Sequence, residues 1–300
     1  MKVTVTGGTG LIGRGLVRAL RARGDEVTAL SRNPERAREE LGVPVHAWRP
    51  LDEPAPAAAL EGRDAVVHLA GESVAQRWTD ASRRAIRDTR ETGTRNLVAG
   101  LRAAGPRPDV LVSASAVGYY GGHGDEVVDE ATGPGAGFLA EVCVAWEREA
   151  SAAAELGMRV VNVRTGVVLD KDGGALPKML PPFRAGVGGP VAGGGQYLPW
   201  IHAGDLVRVY LAALDGPDWS GAVNGTAPEP VTNREFSRRL GRVLHRPAVV
   251  PVPAAALRLL YGDMAEMVTE GQRAVPRRPL ELGFAFDHAD LDAALRDVLA

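Results

Sequence analysis

Short apolar, β-branched runs alternate along the first two-thirds of the chain with longer stretches whose apolar positions recur at helical spacing. The runs are Val3–Thr6, Val27–Leu30, Val43–Trp48, Ala65–Leu69, Val110–Val112 and Arg159–Val163. Between them lie the amphipathic stretches Leu11–Arg23, Pro34–Leu41, Asp80–Ala104 and Gly137–Leu156. Alternation of this kind builds βαβ units. Several runs, Ala65-Val66-Val67-His68-Leu69 among them, are apolar throughout, as expected of strands covered on both faces of a parallel sheet. The pattern predicts an α/β fold: a Rossmann-type doubly wound parallel sheet with its ligand at the carboxyl ends of the strands.

After about residue 170 the texture changes. Asp172-Gly173-Gly174, Pro181-Pro182, Gly188-Gly189-Pro190 and Gly193-Gly194-Gly195 interrupt the chain in quick succession, and from Thr232 onward helices are separated by the proline-rich Pro247–Pro253. The expected division is a nucleotide-binding domain over residues 1–170, to which the chain returns at about 200–225, and a smaller, partly helical substrate or lid region over 171–300. Long glycine-rich loops in compact domains are usually functional or mobile, so Gly186–Gly195 is expected to border the substrate crevice.

Composition narrows the class of partner. With 45% hydrophobic and 24% charged residues and a net charge of −2, nothing favours a nucleic-acid backbone or an anionic membrane; a small-molecule substrate is expected. Arginines such as Arg14 to Arg23 read as a solvated helix face. Cys143 is the single cysteine, which excludes an intramolecular disulfide and suits a reducing compartment. The amino terminus runs straight into a strand without an apolar leader, and no apolar run is long enough to span a bilayer. The expectation is a cytoplasmic protein, with monomer and homodimer both open.

The strongest motif is Gly7-Gly8-Thr9-Gly10-Leu11-Ile12-Gly13, placed directly between a strand and a helix. Gly7, Gly10 and Gly13 carry the spacing of a dinucleotide turn, in which main chain must approach a pyrophosphate and a helix amino terminus presents free N–H groups. About twenty residues on, where an NAD site would carry an acidic residue for the ribose hydroxyl, stands Ser31-Arg32-Asn33. A guanidinium there can pair with a 2′-phosphate, so the expected cofactor is NADP(H). The fourth strand ends in His68-Leu69-Ala70-Gly71-Glu72: His68 reads as a packed strand residue, Leu69, Ala70 and Gly71 as cofactor contacts, and Glu72 and Arg77 either as groups facing the crevice or as a loop ion pair.

These stretches, with Ser113-Ala114-Ser115-Ala116-Val117-Gly118-Tyr119-Tyr120-Gly121, Leu198-Pro199-Trp200-Ile201-His202-Ala203-Gly204-Asp205-Leu206 and Glu270-Gly271-Gln272, resemble the extended, or atypical, short-chain dehydrogenase/reductases. The likeness runs the length of the chain and is greatest to the sugar-nucleotide-epimerase-like subgroup called epimerase family proteins. It implies an NADP(H) fold and exposes a departure. The family's Tyr-x-x-x-Lys pair, in which lysine prepares tyrosine for proton exchange, falls on Leu139 and Cys143 when Trp146-Glu147 sets the register. The family's serine falls on Ser115, with Ser113 as an alternative register; Tyr119 and Tyr120 either offer phenols from another direction or pack the pocket wall and bind cofactor. Cys143, among Phe138, Leu139 and Val142, reads as a small buried hydrophobe. Asp205 is expected to cap a helix running to Leu214, Arg164 to hold an anion or a salt bridge, and Lys178 to face substrate. No metal-ligand spacing or Ser-His-Asp order is evident.

Two functions follow. One is an NADP(H)-dependent oxidoreductase or epimerase-like enzyme on a small polar substrate, with Ser115, Tyr119 and Tyr120 as catalytic candidates. The other is a non-catalytic NADP(H)-binding regulator or scaffold, since fold does not decide chemistry.

Overall fold

The computed structural model describes the backbone of residues 1–300 and the side chains of all but Leu260 and Tyr261. Its centre is a parallel sheet of seven strands: β1 (Lys2–Thr6), β2 (Glu26–Ser31), β3 (Val45–Ala47), β4 (Ala65–His68), β5 (Val110–Ala116), β6 (Arg159–Thr165) and β7 (Gly221–Gly225). The order is β7-β6-β5-β4-β1-β2-β3, so the winding reverses between β1 and β4. That reversal opens a crevice at the carboxyl ends of those two strands.

Helices α1 (Leu11–Ala22), α2 (Pro34–Leu41), α3 (Asp80–Ala103), α4 (Phe138–Ser151), α5 (Leu176–Arg184), α6 (Ala203–Asp215) and α7 (Asn233–Val243) follow in chain order. After them come α8 (Ala254–Tyr261), α9 (Glu266–Thr269), α10 (Arg277–Glu281) and α11 (Leu291–Leu299). Neighbouring residues of one strand feed opposite cores, as the two-residue repeat of a strand requires. Val67 joins Val3, Val5 and Val112 beneath Leu16 and Leu20 of α1 and Leu206 and Tyr210 of α6. Val66 joins Leu111 and Val160 beneath Leu97 and Leu101 of α3 and Ala150 of α4. Local chemistry sets the helix ends: Asn33 accepts from the Arg36 N–H at the start of α2, Thr79 and Ser82 form a reciprocal box on α3, and left-handed Gly42 stops α2.

The smaller unit has its own core, in which Leu180 and Phe183 of α5, Phe236 and Leu240 of α7 and Leu291 and Leu295 of α11 surround Trp200. Two sequence expectations change here. Asp205 does not cap α6; the cap is His202, whose Nδ1 accepts from the Gly204 N–H at 3.1 Å. Asp205 is instead a buried pin, accepting from the Asp287 and His288 N–H groups at 2.9 and 2.8 Å and so fastening the carboxyl-terminal segment to α6. Gly186–Gly195 also departs from expectation. Gly188 lies against Phe183, Gly189 against Val250 and Gly194 against Arg234, and the Val191 N–H donates to Asn233 at 2.8 Å. The loop belongs to the smaller unit's own packing, and its continuation, Gln196–Tyr197, reaches Val268 and Gly271.

Candidate cofactor crevice and catalytic site

The glycine turn is built by exclusion. Gly7 has a positive φ of 68°, and a Cβ there would lie 2.7 Å from the Leu69 carbonyl carbon. A Cβ on Gly13 would lie 2.7 Å from the Gly8 Cα, and one on Gly10 3.2 Å from the Gly7 oxygen. The turn therefore closes tightly on itself and on the end of β4. Gly10 starts α1 with no side-chain cap, so the helix offers its first N–H groups to whatever lies over the turn. Thr9 is half-buried with its carbonyl held by the Arg14 guanidinium at 2.6 Å; Leu11 meets Gly173, and Ile12 packs into the sheet core. This cradle, empty of side chains and lined by N–H groups, fits a pyrophosphate.

Beside it, β1 and β4 are locked by a relay of hydrogen bonds. The Thr6 hydroxyl accepts from the Leu69 and Ala70 N–H groups, both at 3.2 Å, which fills its lone pairs. It must then donate to His68 Nδ1 at 2.7 Å, leaving His68 Nε2 to carry the proton toward the Thr94 hydroxyl at 3.0 Å. Burial, aided by the charge of Arg90, lowers the imidazole to about 4, so His68 stays neutral. The packed histidine expected here thus shapes the Leu69-Ala70-Gly71 backbone.

At the end of β2, Ser31 and Asn33 are occupied locally: the Asn33 N–H donates to the Ser31 hydroxyl at 3.1 Å, and Asn33 caps α2. Arg32 is exposed and has no ion pair or hydrogen bond among the described residues. On the other side, Glu72 is half-buried and accepts from Gln76 at 3.3 Å, while Arg77 is exposed. No Glu72–Arg77 ion pair forms among the described residues.

Beyond β5 the polar groups bind one another. Arg164 grips Glu147 with Nε and Nη2 at 2.8 and 2.9 Å, and Ser115 donates to the same carboxylate at 2.6 Å. Arg164 Nη1 reaches the Tyr120 oxygen at 3.0 Å, and Tyr120 donates to Asn224 of β7 at 2.8 Å. The Asn224 N–H and that of Arg278 both go to the Glu130 carboxylate, whose pKa burial raises. Tyr120 is fully buried, and burial pushes its phenol up to about 12 against the pull of Arg164. Tyr119 is half-buried, its ring lying 3.4 Å beneath the Arg164 guanidinium carbon, and its hydroxyl has no hydrogen bond among the described residues. Glu147 enters the sequence reading only as a register mark, and Asn224 and Glu130 not at all, because the role of each is defined by partners far along the chain.

Leu139 and Cys143 stand on the inner face of α4. Cys143 is buried, its thiol pushed up to about 12 by burial, with the Glu147 charge adding to the effect. Leu139 lines a pocket with Trp78, Gly118, Gly121, Phe138, Glu266, Glu270 and Gln272. Lys178 does not point free into it but ties α5 across the crevice to the Ala75 carbonyl at 2.8 Å. Among the described residues His202, His288 and Asp297 bring ligand atoms within 4.8 Å of one another. Because His202 Nδ1 accepts the helix cap, its Nε2 carries the proton toward Asp297 at 3.1 Å, which makes this a hydrogen-bonded clamp. No described helix is long and apolar enough to cross a membrane.

Comparison with known proteins is consistent along the whole chain. Residues 3–224 match the NAD-dependent epimerase/dehydratase family, and residues 252–298 match a domain of unknown function. The chain is 42% identical over 310 residues to the chloroplastic epimerase family protein SDR39U1 homolog of Arabidopsis thaliana, covering 100% of this chain and 87% of that one. The crystal structure of human epimerase family protein SDR39U1 with NADPH superposes with a TM-score of 0.88 at 37% identity, covering 99% of both chains. MoeE5, in complex with UDP-glucuronic acid and NAD, shares the fold at 23% identity and a TM-score of 0.78, over 98% of this chain and 96% of that one.

Proposed function

The chain belongs to the NAD-dependent epimerase/dehydratase family, and from that premise we propose that it is an NADP(H)-dependent oxidoreductase or epimerase-like enzyme acting on a small polar substrate. The observation that carries the cofactor reading is the pairing of an uncapped glycine turn with an exposed, unengaged Arg32 one strand away. The α1 amino terminus would hold the pyrophosphate, and the Arg32 fork a 2′-phosphate. NADPH is also the cofactor in the human relative's structure. When bound, it supplies hydride chemistry; the chain's part is to orient it, exclude water and move a proton.

Neither Leu139 nor Cys143 can exchange that proton. Of the three hydroxyls at the end of β5, Ser115 and Tyr120 are committed to Glu147, Arg164 and Asn224, so their part is to hold the crevice wall. Tyr119 keeps a disengaged phenol, and we assign the proton exchange to it. The apolar pair Leu139 and Cys143 equally supports the second reading, a binding protein that has kept the cofactor and lost the chemistry.

Calorimetric titration tests the first step. NADPH should bind about tenfold or more tightly than NADH, and Arg32→Ala should remove most of that gap. Equal affinities for the unaltered protein would end the NADP(H) reading. Oxidation of NADPH against a panel of small carbonyl compounds tests the second step: Tyr119→Phe should slow turnover by roughly a hundredfold while leaving cofactor affinity within a few-fold. Tight NADPH binding without turnover of any carbonyl would favour the binding-protein reading.

A further inference from the structure

Helix α3 is rich in arginine, and most of that charge is spent on carboxylates. Arg83 pairs with Asp263, Arg87 with Glu141, and Arg95 with Glu91 and Glu149. Arg90 is different. It is half-buried and has no carboxylate within ion-pair reach among the described residues. Its Nη1 donates to the Glu72 and Ile86 carbonyls at 2.9 and 3.2 Å, while Nη2 and Nε have no acceptor among the described residues. The nearby Glu72 offers it a backbone oxygen, its carboxylate being turned to Gln76.

The position of this guanidinium is specific. Its carbon lies 4.9 Å from the centre of the Trp146 ring on α4. It also covers Gly71, where a Cβ would come within 3.3 Å of that carbon. Trp146 and Cys143 are three residues apart and share a helix face, so Arg90 spans from the end of β4 to the place where the family's lysine would stand. Burial lowers the guanidinium's pKa, outweighing the opposing pull of the nearby Glu72 charge.

A dinucleotide draped over the glycine turn with one end at Arg32 must run its other half across the ends of β4 and β5, over Leu69, Ala70 and Gly71. We propose that Arg90 is the positioning residue for the nicotinamide-side ribose of the cofactor, its free N–H groups donating to the ribose hydroxyls in place of the absent lysine. The proposal rests on the NADP(H) reading of the crevice. It gives Cys143 a reason: a lysine there would set a second cation against Arg90, whereas a small thiol leaves room for the one already present.

Three probes divide the crevice. Adenosine 2′,5′-bisphosphate reaches only the Arg32 end, 2′-phospho-ADP-ribose adds the second ribose, and NADPH adds the nicotinamide. For Arg90→Gln, the affinities of NADPH and 2′-phospho-ADP-ribose should fall about tenfold or more, while the bisphosphate stays within about twofold. Arg90→Lys should recover part of the loss on the two longer probes, and it serves as the test variant if Arg90→Gln does not fold. Equal weakening of all three probes, or of none, would overturn the proposal. If the unaltered protein fails to bind the bisphosphate and NADPH, it is the NADP(H) reading that falls.

Discussion

The two ends of the crevice are made on opposite terms. Around the glycine turn and β2, polar groups are left open: α1 begins without a side-chain cap, and Arg32 is exposed with no partner among the described residues. Beyond β5, Ser115, Glu147, Arg164, Tyr120 and Asn224 saturate one another out of reach of water. An open end can bind a ligand at little cost to the fold. A saturated end is stiff, and a substitution in it is felt first as lost stability. Substitutions at the two ends should therefore separate binding from folding.

The largest effect is expected in the saturated end. Glu147→Ala leaves the Arg164 guanidinium buried without its carboxylate, and should lower unfolding free energy by about 3–5 kcal/mol in urea titration. Tyr120→Phe, which removes one hydroxyl but keeps the ring, should cost about 1–2 kcal/mol. Were Glu147→Ala as stable as the parent but unable to turn over substrate, the network would be catalytic and the comparison would fail.

His68 sharpens the contrast by pH. Its ordinary value is 6.5 and its folded value about 4, so the folded protein binds fewer protons than the unfolded chain between those values. The stability it contributes is complete above about pH 6.5 and is lost as pH falls toward 4, on the order of 3 kcal/mol. Unfolding measured across that window should show the slope, and His68→Gln should flatten it; a slope unchanged in the variant would mean that other groups carry it.

The open end should give the opposite signature. Gly10→Ala places a methyl only 3.2 Å from the Gly7 oxygen, a contact that a small shift relieves. It should weaken NADPH binding by roughly tenfold while costing the fold less than about 1 kcal/mol, as seen by calorimetry and thermal melting. A larger loss of stability than of affinity would show that this end, too, is spoken for by the fold.

What could be read from the sequence follows the same division. The buried strands were visible because each is a contiguous apolar run, and the glycine turn because its constraints fall within seven residues. The β7 strand escaped, being Gly-Ala-Val-Asn-Gly at a sheet edge with no β-branched run to mark it. Val43–Trp48 shrank to Val45–Ala47 in the ladder because Pro44 has no N–H to pair. In the candidate site, the proposed role of Arg32 is legible from its distance along the chain to the turn. Arg90 is not: it is one arginine among many on a polar helix, set apart only by Gly71 and Trp146, which lie far from it in sequence.

The placing of β7 has a consequence for how the chain is made. The core of the smaller unit draws on two stretches, residues 169–200 and 227–298, while the sheet is complete at Gly225. During synthesis from the amino terminus, all seven sheet strands have left the ribosome while residues 226–300 are still to emerge. In that interval Leu180 and Phe183 of α5 lack Phe236, Leu240 and Leu295, the side chains that later cover them. The vulnerable moment in the life of this protein falls between the emergence of its last sheet strand and of its last helix, when a complete set of strands, still lacking the Leu282–Phe286 cover on its core, carries half of a second apolar core in search of the other half.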